Sequence, residues 1–371
     1  MRTLIAGGGT GGHLTPALAV AEELRASDPA GAVLLVGRRG GIAEALVERA
    51  GIPLETLDIR GVDLTRPLSV AGFGLRLPRA VREARQLIRR FAPDVVVGAA
   101  GYVSLPVVMA AERERIPVLL LEQNALPGRA TRLLSRRAAG VAVSFEGTAR
   151  RLPGRPVTVT GNPVRREFRA SPPALEGECR RILVWGGSQG ARRINRALAA
   201  CAGPLLDAHP DLELTHQCGR LDEAEMRTAR DALDADLRRR WQIQAFYTDP
   251  AERIAWADLV VMRAGGSSLA EVSALGRPMI VVPYPHARDH QRHNAAPYAD
   301  AGAAAVVPDA ECDGPRLLAE IEALLGDPGR WRAMAGHSRA MGRPEATERV
   351  AALVASLAAN PPSRRSRRGR R

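Results

Sequence analysis

The sequence predicts an α/β protein of two tandem, doubly wound Rossmann-like domains facing a central cleft. Three observations carry that prediction. Apolar strands alternate with amphipathic helical stretches along most of the 371 residues, the order that builds an open parallel sheet with helices on both faces. The alternation breaks at GNPVRREFRASPPALEGECR (161–180), a stretch rich in Pro, Gly and charge, and then restarts. Each half also opens in the same way, with a strand, a glycine-rich turn and a helix: GGGTGGH after TLIA, and GGSQGAR after RILVW.

In the first half, TLIA (3–6) leads to a helix from about Thr15 to Ala26, with Thr15 as N-cap and Pro16 at the first helical position. AVLLVG (32–37) leads to a helix around 42–50. A basic helix at 78–91 precedes DVVVG (94–98), a helix at 104–115 and PVLLLE (117–122). A helix at 127–138, GVAVS (140–144) and VTVTG (157–161) follow. In the second half, RILVW and its turn lead to a helix ending near 198. The later strands are LELTHQ (212–217), WQIQAF (241–246), ADLVVM (257–262), PMIVVP (278–283) and AAAVVP (303–308). Helices at 316–325 and 345–358 close the pattern. The domain limits read as 1–163 and 164–344, with helix 345–358 packing back on the first domain and 359–371 an Arg-rich tail of disordered composition.

At 46% hydrophobic and 25% charged residues the composition is that of a globular chain. No apolar run reaches the roughly eighteen residues of a membrane span, and no A-x-A-like signal-peptide site follows the first strand. A cytoplasmic location is expected. Cys179, Cys201, Cys218 and Cys312 form no C-x-x-C and no zinc spacing, so they read as reduced thiols and no metal site is expected. The formal charge is +13, and every basic residue is Arg. The lack of Lys excludes a Walker P-loop and a Schiff-base enzyme. Six arginines lie in the closing PPSRRSRRGRR, and without them the charge falls to +7. The tail reads as solubilising or as attracted to anionic lipid. Nucleic acid is not an expected partner, with 4% aromatics and no recognisable binding motif. Residues 69–91 set Val70, Phe73, Leu75 and Leu77 beside Arg76, Arg79, Arg82, Arg85, Arg89 and Arg90. That segment is either a solvated amphipathic helix or a docking face for an anionic membrane surface.

The turns carry the chemistry. Gly7, Gly9 and Gly12 fit G-x-G-x-x-G, but the second strand ends in Arg38 and Arg39 rather than the acid that binds an NAD ribose. An arginine there suits NADP, so an NADP-dependent oxidoreductase stays open at this point. What the loop shares with all such turns is close backbone approach and a helix N-terminus, which together favour a phosphate or pyrophosphate. His13 stands in its mouth as a candidate proton acceptor. Gly186, Gly187, Ser188, Gln189 and Gly190 repeat the arrangement, and two anion turns suit a bisphosphate substrate. Gly265, Gly266, Ser267 and Ser268 form a third turn, with Glu271 in the first turn of the next helix. Glu271 reads either as a dipole-complementing carboxylate or as an acceptor for two ribose hydroxyls. VVPYPHARDHQRHNA (281–295) reads as an irregular loop whose His286, Asp289, His290, Gln291, His293 and Asn294 suit sugar hydroxyls better than a metal. Tyr102, Glu122, Gln123 and Asn124 follow first-half strands and point to the same edge as His13.

GGGTGGHLTPALAVAEEL, GAAGYVSLP, EQNALPG, TGNPVR, GGSQGAR, R-x-G-G-S-S-L-A-E and PHARDHQRHNA, in this order and spacing, resemble the MurG family over about residues 1–350. The resemblance implies the GT-B fold and no cofactor. It implies inverting transfer of N-acetylglucosamine from UDP-N-acetylglucosamine to the muramyl 4-hydroxyl of lipid I, giving lipid II for peptidoglycan, at the cytoplasmic face of the cell membrane and beside other cell-wall enzymes. It places Glu271 on the ribose, Gly266, Ser267, Ser268, Leu269 and Ala270 around the nucleotide, and Ser188 and Arg165 on phosphate. Backbone at Phe246 and Tyr247 would meet uracil. Gln291 with His290, and Thr10, Gly11, Gly12 and Asn124 from the first domain, would reach the sugar. His13 is the base in this reading. Leu121 stands where the family commonly has His, so a role for that His does not carry over. A non-catalytic UDP-sugar-binding protein is the remaining alternative.

Overall fold

The computed structural model describes residues 1–7, 11–40, 47, 48, 50–59, 61, 67–152, 154, 156–170, 175–187, 190–285 and 289–360; side chains at 11, 13 and 67–70 are outside that description. The chain divides into two compact units, Met1–Arg166 with Pro344–Arg371, and Glu167–Arg343.

The first unit contains β1 (Arg2–Ala6), α1 (Gly11–Ser27), β2 (Ala32–Arg38), β3 (Leu54–Leu57), α2 (Pro67–Phe91), β4 (Val95–Gly98) and α3 (Gly101–Arg113). It continues with β5 (Val118–Glu122), α4 (Arg129–Leu134), β6 (Gly140–Val143), α5 (Glu146–Arg150) and β7 (Val157–Val159). The sheet order is β3-β2-β1-β4-β5-β6-β7, and its pairs are parallel. Alternate strand residues face opposite layers. Leu4, Val96 and Leu120 pack under α2 and α3, while Ile5, Val97, Leu119 and Leu121 pack with α1 and with Val350, Ala351 and Val354 of the closing helix.

The second unit contains β8 (Arg181–Trp185), α6 (Arg192–Ala208), β9 (Glu213–Gln217), α7 (Glu223–Asp231), α8 (Ala235–Arg240), β10 (Trp241–Gln244) and α9 (Pro250–Trp256). Then come β11 (Leu259–Met262), α10 (Gly266–Ala274), β12 (Met279–Val281), α11 (His290–Asp300), β13 (Ala304–Val306), α12 (Gly314–Leu325) and α13 (Pro328–Met341). Its parallel sheet runs β10-β9-β8-β11-β12-β13. The closing helix α14 (Ala346–Ala359) returns to the first unit. The predicted architecture of two doubly wound parallel sheets is therefore observed.

Local readings differ in several places. Helix α1 begins at Gly11, so Thr15 is not its N-cap and Pro16 lies inside it. Leu14, 2% exposed, anchors that early turn in the core. Helix α2 begins at Pro67 and runs through Pro78. Strand β3 and helix α13 were not expected. Finally, His290–Asp300 is a helix, not an irregular loop. The expected helix at 42–50 falls mostly outside the described residues.

Candidate active site

Both sheets reverse strand order once, between β1 and β4 and between β8 and β11. Ligands of doubly wound sheets bind beyond the carboxyl ends of the strands at such a reversal. The glycine-rich turns lie there.

In the first unit, Gly7 N–H closes the end of β1 on the Val36 carbonyl at 3.1 Å. Thr10 lies outside the described residues. Gly11, Gly12 and His13 form the first turn of α1. A Cβ on Gly12 would meet nothing within 4 Å, so the chain's own packing does not demand glycine there. The β4–α3 turn is held against β1. The Ala99 N–H donates to the Ala6 carbonyl at 2.8 Å, and the buried Ser104 hydroxyl lies 3.0 Å from that oxygen and 2.7 Å from the Ala100 carbonyl. Ala100 has φ 57°, ψ −174°, a region populated essentially by glycine.

The β5–α4 loop is organised by Glu122, 2% exposed. Its Oε1 accepts from the Asn124 N–H at 3.0 Å and from Asn124 Nδ2 at 3.1 Å; its Oε2 accepts from the Gly128 N–H at 2.9 Å and from the Thr131 hydroxyl. Glu122 is thus the support of Asn124 rather than a group turned to a substrate. The Thr148 hydroxyl lies 3.0 Å from the Asn124 and Ala125 carbonyls. Gln123 is buried, and neither end of its amide has a partner among the described residues. Leu121 packs in the core with α1 and α14. Arg165 is half-buried and lies in the first unit beside Val164, whose N–H and C=O both bond the Thr347 hydroxyl of α14, at 3.0 and 2.7 Å.

In the second unit, Ser188 and Gln189 lie outside the described residues, but their flanks are fixed. Gly186 N–H donates to the Gln217 carbonyl at 2.9 Å. A Cβ on Gly186 would lie 2.6 Å from that oxygen, and one on Gly190 2.5 Å from the Cys218 carbonyl. These two glycines are required by close approach of the β9 end. Asn195 of α6 donates through Nδ2 to the Cys218 carbonyl and to Asp222 Oδ2, each at 2.8 Å. Its Oδ1 must therefore accept from His216 Nε2, 3.0 Å away. His216 is fully buried and stacks on Trp241, and burial pushes its pKa down to about 3.

The third turn is clamped by α11. Gln291 Oε1 accepts from the Ala264 N–H at 3.1 Å and the Tyr284 N–H at 2.9 Å, and Asn294 Nδ2 donates to the Ala264 carbonyl at 3.2 Å. Arg263 bonds the Val282 carbonyl and Asp309. Gly265 precedes the first turn of α10, which holds Gly266, Ser267 and Ser268 and contains no acid. Leu269 is a core side chain, and Ala270 follows it. Glu271, 9% exposed, sits in the second turn of α10, not the first, so the dipole-complementing reading loses its basis. Tyr247 is buried, with Arg253 4.8 Å over its ring, and its N–H is taken by Gln217 Oε1 at 2.9 Å. His290 Nδ1 is buried without a partner among the described residues. His286 lies outside them.

Gln217, Asn195 and His216 escape the sequence reading. The one signal for His216 and Gln217 is the ending of LELTHQ: a buried strand that stops on two polar residues at the sheet's carboxyl edge. The four cysteines are unpaired, and burial raises their thiols, to about 12 at Cys179 and Cys201 and about 11 at Cys218 and Cys312. On α2, Arg79, Arg85, Arg89 and Arg90 are ion-paired with Glu83, Glu114 and Glu55, while Arg76 and Arg82 face solvent beside the 82%-exposed Leu75.

Two parallel α/β units with glycine turns at both strand-order reversals have the architecture of a GT-B glycosyltransferase. The glycosyltransferase family 28 N-terminal domain matches residues 3–143, and the family 28 C-terminal domain matches residues 181–350. A protein of an Anaeromyxobacter species is 38% identical over 96% of this chain and 93% of its own length. One of Geobacter sulfurreducens is 37% identical over 94% of this chain and 97% of its own. Both are named UDP-N-acetylglucosamine--N-acetylmuramyl-(pentapeptide) pyrophosphoryl-undecaprenol N-acetylglucosamine transferase. The crystal structure of Acinetobacter baumannii MurG superimposes with a TM-score of 0.74 at 29% identity, covering 96% of this chain and 99% of that one. The chain belongs to glycosyltransferase family 28, in the group of the MurG transferases. That membership sets aside the oxidoreductase alternative. No helix among the described residues is long and apolar enough to cross a membrane.

Proposed function

We propose that this chain is an inverting hexosyltransferase that moves N-acetylglucosamine from UDP-N-acetylglucosamine to the 4-hydroxyl of the muramyl sugar of lipid I, giving lipid II for peptidoglycan. One observation carries the reading: relatives matching 94–96% of the chain bear a name that specifies this donor sugar, this acceptor and this transfer.

The second unit takes the donor. Glu271 accepts from the two ribose hydroxyls; its burial away from the helix end supports a ligand role. The N–H groups that open α10, at Gly266, Ser267 and Ser268, face the pyrophosphate together with Ser188 and Arg165 and stabilise the leaving UDP. Leu269 and Ala270 contribute main chain, since the Leu269 side chain is core. Uracil meets the main chain at Phe246 and Tyr247 through groups other than the engaged Tyr247 N–H. Gln291, whose Oε1 is occupied, reads the sugar through Nε2, beside His290. From the first unit Thr10, Gly11, Gly12 and Asn124 approach the sugar; the open space at Gly12 supports a ligand there. His13, at the amino end of α1, takes the proton of the attacking hydroxyl. The exposed Leu75, Arg76 and Arg82 on α2 rest on an anionic membrane surface at the cytoplasmic face, where other cell-wall enzymes are partners.

The test is a transfer assay with labelled UDP-N-acetylglucosamine and a lipid I analogue, with and without EDTA. Transfer unaffected by EDTA is expected. Donor binding without transfer would leave a UDP-sugar-binding protein, and loss of transfer in EDTA would overturn leaving-group stabilisation by helix N-termini and Arg165 alone.

A further inference from the structure

Gln217 ends β9 and is fully buried. Its main-chain carbonyl takes the Gly186 N–H at 2.9 Å, so it holds the turn after β8. Its side-chain Oε1 takes the Tyr247 N–H at 2.9 Å, so it also holds the turn after β10. The two hydrogens on its Nε2 have no partner among the described residues. A buried carboxamide bonded at one end only is costly, because the other end has lost water and, among the described residues, has gained no partner. An apolar side chain of similar length avoids that cost. Burial alone therefore gives no reason for a glutamine, whereas the bond to Tyr247 does.

We propose that Gln217 is a positioning residue for the nucleotide end of the donor site, fixing the Tyr247 main chain relative to the Gly186–Gly190 turn so that base and pyrophosphate of a uridine diphosphate sugar meet two loops held in one register. The inference rests on the reading of the second unit as the donor-binding unit. Arg253 lies 4.8 Å over the Tyr247 ring and so acts on the side chain, whereas the Gln217 bond acts on the main chain.

The experiment compares two variants of the full chain. Gln217→Met keeps length and burial and removes the acceptor. Gln217→Glu keeps an acceptor for Tyr247 and removes the Nε2 donor. The Met variant is expected to melt at or above the wild-type temperature, with KM for UDP-N-acetylglucosamine raised about five- to tenfold and kcat within about twofold. The Glu variant is expected to melt lower and to raise KM as well, because it buries an uncompensated carboxylate in the support of the pyrophosphate turn. Calorimetric binding of UDP to the wild type is measured first; no binding would overturn the donor reading itself. Wild-type binding with an unchanged KM in the Met variant would overturn the role of Gln217 and leave the donor reading standing. A Met variant that melts well below wild type, with kcat and KM both impaired, would assign Gln217 to the core and also overturn the proposal. If the Glu chain does not fold, the Met variant decides alone.

Discussion

In the first unit, the loop after β5 is built around a buried carboxylate that meets only neutral donors: two from Asn124, one from Gly128 and one from Thr131. In the second unit, the buried Asp222 and the half-buried Asp309 each face an arginine, Arg192 and Arg263, and the turns themselves are tied by the neutral carboxamides of Gln217, Asn195, Gln291 and Asn294. The difference follows the ligands proposed for them. A turn that receives a pyrophosphate is poorly served by an uncompensated negative charge in its support, whereas neutral amides and paired acids hold shape without repelling it. Beneath Asn124, where a sugar is to be read, a carboxylate costs nothing of that kind and orders the loop with strong bonds.

Four variants test that contrast. His13→Ala should lower kcat about 10²–10⁴-fold with UDP-sugar affinity little changed, by steady-state kinetics and calorimetry; wild-type turnover would remove His13 as the base. Glu271→Ala should weaken donor binding on the order of 100-fold, through two charge-assisted hydrogen bonds. Unchanged affinity would sink the ribose assignment. Glu122→Gln places a donor where four donors converge and should cost about 2–4 kcal/mol in urea unfolding. Asp222→Asn should cost nearer 1 kcal/mol, since its partner Arg192 is largely exposed; the reverse order would break the comparison.

His216 adds a pH dependence to the second unit. Its folded pKa of about 3 lies below the ordinary histidine value of 6.5. The unfolded chain therefore binds a proton between those values that the folded chain refuses. Its contribution is fully present above pH 6.5 and is lost as pH falls toward 3, at up to roughly 1.4 kcal/mol per pH unit. His216→Gln should flatten that slope in acid-unfolding curves, and an unchanged slope would place the acid sensitivity elsewhere. The smallest effect is in the first unit: Ala100→Gly should raise stability by roughly 1 kcal/mol by releasing backbone strain, less the entropy of glycine. A loss of stability would show that the Ala100 methyl packs usefully.

The sheets were legible because their central strands are short apolar runs bounded by glycine, as in TLIA and DVVVG. LETL was not, since β3 is an edge strand with polar Glu55 and Thr56 in a four-residue run. Helix α11 was masked by prolines before it and by a polar composition around Asn294, Ala295 and Tyr298, its buried face. Helix α13 buries Trp331, Met334, Ala335 and Ser338, a correct spacing whose small residues weaken the stripe. At the site, glycine turns are local demands of the backbone and so can be read. The bonds that tie Gln217 to Tyr247 and Gln291 to Ala264 span 30 and 27 residues, and nothing in either neighbourhood announces its partner.

Helix α14 has a consequence for synthesis. Val350, Ala351 and Val354 complete the layer over Ile5, Val97 and Leu119, yet they are translated after the whole of Glu167–Arg343. During elongation the second unit has all its residues first, while the earlier-made unit waits with one apolar face uncovered. An N-terminal fragment ending near Arg166 should therefore aggregate unless α14 is supplied. Supplying that helix as a separate peptide should restore its solubility, and failure to do so would mean that the first unit closes its core without it.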